Sequence, residues 1–181
     1  MSDTAQTLME RAAHARREDR LEAARRDLVD AVALARAAGA REDLIAALKA
    51  LGQIERDLGR HDAALVLYEE AVGLCRGAID PLQLAHTVRH LGDIHLDAGR
   101  LEAAEPCFRE ALALYRGHGH APPLELANAI RPLARLRERT GDMAEAVRLW
   151  SEARDLYMIA RVEQGVAEST ARLARLTGRS S

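Results

Sequence analysis

The sequence predicts an all-α protein, a solenoid of stacked helix pairs, and three observations support this fold. The first is a turn with glycine that recurs at Gly59, Gly99 and Gly141, with spacings of 40 and 42 residues. Each glycine precedes an Ala-containing run, and a similar run follows Asp19, 40 residues before Gly59. A fixed period in this range is typical of helical repeats, in which each repeat packs on its neighbours.

The aromatic residues, the second observation, follow the same period. The chain has five of them, and Tyr68, Phe108 and Trp150 stand 40 and 42 residues apart, as Tyr115 and Tyr157 stand 42 apart. All five fall on the second helix of a pair, at two repeat positions that are seven residues apart. We therefore expect the rings in the packing between helices, where each buries on the order of 150–250 Å². An aromatic platform for a ligand is the alternative.

Composition is the third observation. Hydrophobic residues make up 48% of the chain but aromatic residues only 3%, which indicates a core of small side chains between close helices. A net charge of −2 argues against a dedicated nucleic-acid binder. No secretory signal and no apolar run of about 18 residues is visible, so we expect a cytoplasmic protein with reduced Cys75 and Cys107 and no membrane partner. The Ala- and Arg-rich composition favours a bacterial source.

The first two repeats are predicted at residues 4–39 and 40–79. In the first helix, Leu8, Ala12 and Ala15 recur at helical spacing and form one apolar stripe. Gly39, a residue type that commonly terminates helices in the left-handed conformation, closes the first pair. The predicted helices of these repeats cover residues 4–18, 21–38, 42–58 and 62–76.

The third and fourth repeats are predicted at residues 80–121 and 122–161. Asp80 suits an N-cap and Pro81 suits the first position of a helix. The predicted helices cover residues 82–98, 101–116, 124–140 and 143–161, with the longest break at 117–123. A capping helix at about 162–177 follows, with its core at 164–176, and residues 177–181 are expected to fray. We expect residues 1–181 to form one solenoid domain.

Several landmark residues recur at equivalent positions of these repeats. The third repeat carries Leu91-Gly92 in its first helix, Gly99 at the turn, and Ala104, Phe108 and Ala111 in its second helix. In these landmarks the chain resembles the tetratricopeptide repeat family, in the longer-period form of kinesin light chains, whose glutamate-alanine-glutamate-proline run is similar to residues 102–106. The resemblance implies a right-handed α-solenoid of about four helix-turn-helix repeats with a C-terminal capping helix.

The resemblance also implies a partner-binding surface, because the first helices line a concave groove in that family. The family's inward positions correspond to Lys49, Gln53, Arg56, His86, Arg89, His90, Asp93, Asn128, Arg131, Arg135 and Arg139. Arg16, Arg17, Arg172 and Arg175 extend this surface at its two ends. With its acidic residues included, the groove carries about +4, which favours an acidic protein or peptide partner. The alternative is that these are ordinary solvated helix faces, partly neutralised by neighbours one turn away.

Other functional classes have weaker support in the sequence. His86, His90, Asp93 and Asp97 share one face of a helix, and two histidines at this spacing can bind Zn²⁺ or Ni²⁺. Arg89 beside them would repel a cation, so we expect no metal and no cofactor. No phosphate-binding loop or nucleophile elbow is present, so the protein is expected not to be an enzyme. Self-association through a solenoid end or the convex face remains an alternative.

Overall fold

The computed structural model describes residues 4–76 and 80–178, and within those residues the chain forms α-helices and no strand. The predicted all-α class is confirmed, and the predicted helix bounds agree with the structure to within two residues. The described residues form nine helices, which are α1 Ala5–Arg17, α2 Leu21–Ala37, α3 Arg41–Asp57, α4 His61–Arg76, α5 Pro81–Asp97, α6 Leu101–Gly117, α7 Pro123–Thr140, α8 Met143–Ile159 and α9 Glu163–Thr177.

Local capping explains where several helices begin. The Thr4 hydroxyl accepts a hydrogen bond from the Thr7 backbone N–H at 3.2 Å, and the Thr7 hydroxyl accepts one from the Thr4 N–H at 2.8 Å. This reciprocal pair satisfies donors that a helix start leaves free. Asp142 caps α8 through the Glu145 N–H at 3.2 Å. Pro81 is the first residue of α5, as predicted from its fixed φ.

The turns between paired helices share one backbone conformation. Gly59, Gly99 and Gly141 have φ of +74°, +75° and +86°, in the left-handed region that glycine adopts without steric cost. Asp19 has φ of +58° at the corresponding turn of the first pair. The first repeat therefore keeps the turn geometry although it lacks the glycine, because Asp tolerates this region better than most residues.

The helices group into two compact units, α1–α4 and α5–α9. In the first unit, consecutive helices pack on one another and α1 also contacts α3. In the second unit, consecutive helices pack in the same way and α5 also contacts α7. The first helices of adjacent repeats are thus direct neighbours within each unit. One solenoid domain over residues 1–181 stays a prediction.

The predicted burial of the aromatic ladder is confirmed, since none of the five rings is more than 3% exposed. Glycine makes room for three of them, Tyr68, Phe108 and Tyr157. A Cβ atom built on Gly52 would lie 2.6 Å from the Tyr68 ring, and one built on Gly92 would lie 2.6 Å from the Phe108 ring. The Leu-Gly landmark of the first helices therefore permits close approach of the paired second helix.

The two cysteines lie on α4 and α6. Cys75 is buried, Cys107 is half-buried, and both are free thiols. Of the residues expected to fray, 177 is the last residue of α9, and 179–181 lie outside the described residues. Among the helices described, none combines the length and the apolar character that a membrane span requires.

Candidate functional site

The predicted site residues of the first unit lie on α3 and are half-buried. Gln53 donates a hydrogen bond to Asp57 at 2.8 Å. Arg16, which reaches across from α1, donates to the other oxygen of the same carboxylate at 2.7 Å. Lys49 and Arg56 have polar or electrostatic interactions of their own. In this part of the predicted basic surface, Arg16 is therefore paired with Asp57, and Lys49 and Arg56 are engaged as well.

Arg89 of α5 is a buried residue, with 7% of its surface exposed. Its guanidinium donates to Asp93 at 3.0 Å and lies 2.8 Å from Nε2 of His90. The rings of His86 and His90 meet edge to face with their centroids 4.6 Å apart. Arg89 is thus paired within α5. The spacing of Arg89 and Asp93, which are one helical turn apart, could have indicated this ion pair.

The histidines of α5 do not assemble a metal centre. The Arg89 guanidinium lies against Nε2 of His90, so this ring nitrogen is not available as a metal ligand. Across residues 4–76 and 80–178, no group of three or more His, Cys, Asp or Glu side chains has the geometry to hold a metal ion.

Two further predicted cations tie helices together in the second unit. Arg139 of α7 donates to the backbone carbonyl of Leu96 at 2.8 Å, near the C-terminal end of α5. Arg172 of α9 donates to Glu138 at 3.2 Å and lies 5.8 Å from the centroid of the Trp150 ring. Glu138 also accepts the Trp150 indole N–H at 2.5 Å. Both arginines therefore stabilise packing, through a helix end and through a cation–π contact.

Three polar residues of α7, which we call the α7 polar face, remain on one side of the helix. They are Asn128, Arg131 and Arg135, at i, i+3 and i+7. Asn128 accepts a hydrogen bond from the Tyr157 hydroxyl at 2.9 Å. Arg131 lies 3.5 Å from Glu168 of α9, and its buried Nε has no hydrogen-bond partner among the described residues. Arg135 is half-buried and forms no ion pair within the described part of the chain.

A cavity of about 140 Å³, which we call the α9 pocket, opens beside this face. Residues of three helices line it, among them Asn128, Arg131, Tyr157, Gln164, Gly165 and Glu168. Tyr157 and Gln164 were not among the predicted site residues, and Glu168 was counted only as one of the acidic residues in the predicted charge of the groove. The spacing of Gln164 and Glu168, one turn apart on α9, was the available signal, but nothing in the sequence placed α9 against α7.

The two tyrosines of this region carry neutral hydroxyls. Burial, supported by the charge of Glu125, raises the pKa of Tyr115 to about 12, and its hydroxyl donates to Glu125 at 3.3 Å. Burial also raises the pKa of Tyr157, against the opposing effect of Arg131. Both phenols therefore act as hydrogen-bond donors near neutral pH, and the Tyr157 hydroxyl orients the Asn128 amide.

Comparison with solved structures supports the fold. Aspartyl phosphate phosphatase F from Bacillus subtilis is 14% identical with a TM-score of 0.86, and the match covers 95% of this chain and 45% of that chain. A putative kinesin light chain repeat protein from Podosopora anserina is 17% identical with a TM-score of 0.78, covering 94% and 84%. A Rap protein complexed with competence and sporulation factor is 14% identical with a TM-score of 0.81, covering 91% and 45%.

These likenesses are of fold, and this chain spans less than half of the phosphatase and of the Rap protein. No curated protein matches the sequence. Two models described as tetratricopeptide repeat match residues 3–77 and 84–118, which together are more than half of the chain. With the helix pairs, the left-handed turns and the Leu-Gly landmarks described above, these matches show that the chain belongs to the tetratricopeptide repeat family.

Proposed function

We propose that this protein is a non-enzymatic interaction scaffold that binds an acidic segment of a partner protein on the α7 polar face. Arg135 gives the main support for this proposal, because it makes no ion pair to any described residue. Arg89, Arg139 and Arg172, by contrast, are engaged within the fold. A guanidinium presents several donors in a fixed plane and pairs well with a carboxylate. The Rap protein of the same fold, complexed with competence and sporulation factor, supports a role in binding a partner.

The geometry of the α7 polar face favours a particular pattern of acidic residues. Arg131 and Arg135 are one helical turn apart, which corresponds to about 6 Å along the axis. In an extended segment, residues i and i+2 point to the same side and are separated by roughly 6.6 Å. Two acidic residues at alternate positions would therefore meet the two arginines together. The side-chain amide of Asn128 lies one turn before Arg131, where it can bond to the backbone of the same segment.

The test is capture of partners from a lysate of the source cells, read by quantitative mass spectrometry. The variant is Arg131→Gln/Arg135→Gln, and the matched control is Arg109→Gln/Arg148→Gln, which removes two exposed arginines from α6 and α8. Arg89 is left unchanged because a substitution in its buried network with Asp93 would threaten the fold. We expect a partner that the control retains and the variant loses, with capture that weakens as salt rises.

A synthetic peptide of the captured segment then completes the test. We expect it to carry acidic residues at alternate positions, and we expect their replacement by Gln to abolish binding. A partner retained equally by both variants, or a segment without acidic residues, would refute the proposal. If the protein captures nothing and sediments as a dimer, self-association replaces the scaffold role.

A further inference from the structure

The contact between Arg131 and Glu168 differs from most interhelical ion pairs of this protein. The two side chains are 3.5 Å apart and are 37% and 31% exposed. By contrast, Arg137 and Glu105, on α7 and α6, meet through two hydrogen bonds of 2.6 and 3.1 Å. The Arg131–Glu168 contact uses one nitrogen at the outer limit of a hydrogen bond, so it satisfies little of the guanidinium's donor capacity.

The remaining donor capacity of Arg131 faces a confined environment. Its Nε is buried and has no hydrogen-bond partner in the described residues, although a buried donor without a partner is costly. A carboxylate that binds a guanidinium side-on uses Nε together with a terminal nitrogen. Glu168 leaves this side of Arg131 unused.

The α9 pocket provides space for such a carboxylate. Its volume of about 140 Å³ exceeds the roughly 30 Å³ of liquid that one water occupies, and it adjoins Arg131 and Asn128. Gly165 lines it without a side chain, and a Cβ there would lie 2.5 Å from the Tyr157 ring. The pocket therefore has room for the end of a Glu or Asp side chain.

We propose that Glu168 pairs with Arg131 in the free protein. When the partner binds, one of its acidic side chains enters the α9 pocket and replaces Glu168 as the group that pairs with Arg131. This inference rests on the proposed function. It adds that Glu168 competes with the partner's acidic side chain for the same site. The incoming carboxylate competes with Glu168 for Arg131, and Glu168, which is partly exposed and held by a single contact of 3.5 Å, is displaced towards solvent. Glu168 therefore lowers the affinity for every acidic segment and excludes neutral segments that cannot compete for Arg131.

The experiment is an NMR titration that follows the side-chain Nε–H of Arg131, assigned by its absence from the Arg131→Gln variant. The probe is the peptide acetyl-Glu-Ser-Glu-amide, and acetyl-Gln-Ser-Gln-amide is its neutral control. The proteins are the wild type, Glu168→Gln, and Glu163→Gln, a matched control that removes an exposed carboxylate from the same helix. We expect the acidic peptide alone to shift the Arg131 Nε–H.

We also expect Glu168→Gln to tighten the dissociation constant by about two- to fivefold, the range that loss of one exposed ion pair corresponds to. Glu163→Gln should leave it within about twofold. If the acidic peptide shifts α7 resonances but leaves the Arg131 Nε–H unchanged, or binds wild type and Glu168→Gln equally, this inference is wrong and the proposed function stands. Equal tightening by both Glu variants also overturns it. If the peptide shifts no α7 resonance in any protein, both proposals fail.

Discussion

Gly92 shows at the scale of one residue how the repeat landmark determines packing. Glycine is a poor helix former, yet Gly92 lies within α5 and is fully surrounded. A Cβ at this position would meet the Phe108 ring at 2.6 Å and the Cβ of Cys107 at 3.0 Å. Gly73 lies inside α4 as well, but a Cβ there would have no atom within 4 Å. Close approach of α6 therefore accounts for Gly92, whereas no contact accounts for Gly73.

This contrast predicts opposite effects of the same substitution. Gly92→Ala should lower the free energy of unfolding by about 1–3 kcal/mol, because the added methyl group forces the Phe108 ring or the helix to move. Gly73→Ala should raise it by about 0.5–1 kcal/mol, since Ala restricts the unfolded chain and favours the helix. Urea unfolding of the two variants and the wild type measures both changes. A stabilising Gly92→Ala would contradict the packing described here.

The sequence predicted single residues well where their role repeats with the period, and less well where it depends on a neighbour. The positions of Phe108 and Trp150 in the core followed from their spacing. Arg89 was predicted as part of an open binding surface, yet it is buried against Asp93. The sequence shows the charge of Arg89 and its place in the repeat. The burial of its side chain, however, depends on how closely the adjacent helices approach.

At the scale of helices, α6 and α7 are joined by the ion pair of Glu105 and Arg137. Arg137 is 13% exposed and donates to both oxygens of Glu105. The hydrogen bond from Arg137 lowers the pKa of the Glu105 carboxyl, and the charges of Arg137 and Arg109 act in the same direction. This two-point contact fixes how the second helix of the third repeat meets the first helix of the fourth.

This pair predicts a specific dependence of stability on pH. Because the pKa of Glu105 is lowered by folding, its contribution is complete above its ordinary value of about 4.3 and is lost as pH falls through the folded value. Glu105→Gln should therefore be less stable than the wild type at pH 7, and the difference should shrink in acid. Urea unfolding at pH 7 and at an acidic pH measures this difference in the free energy of unfolding, and Glu102→Gln on the same helix is the control. A difference that persists unchanged in acid would rule out the ion pair as its source.

Element boundaries could be predicted closely because local chemistry sets them. Pro81 begins α5 and the left-handed Gly141 follows the end of α7, each through a conformational preference of one residue. Arg137 was not singled out from the sequence, although it joins two repeats. Its partner Glu105 is 32 residues away, and a pair at that distance is visible only once the helices are packed.

At the scale of the whole molecule, the period of about 40 residues predicted the fold, because neighbouring repeats within each unit pack on one another. The candidate site was predicted only in part. Asn128, Arg131 and Arg135 followed from the family's inward positions. The α9 pocket did not, since Glu168 reaches Arg131 from 37 residues away on the capping helix. The family therefore supplies the scaffold, and the arrangement of α7, α8 and α9 supplies the specificity that we propose.

Hydrogen–deuterium exchange of the protein, with and without the bound partner segment, tests the central claim most directly. The account predicts slower exchange in peptides from α7 and α9, which carry the α7 polar face and the α9 pocket, and unchanged exchange in peptides from α6. The same experiment on Arg131→Gln/Arg135→Gln should show no protection at the same segment concentration. Protection confined to α6, or protection of α7 that survives the double substitution, would contradict recognition by the α7 polar face.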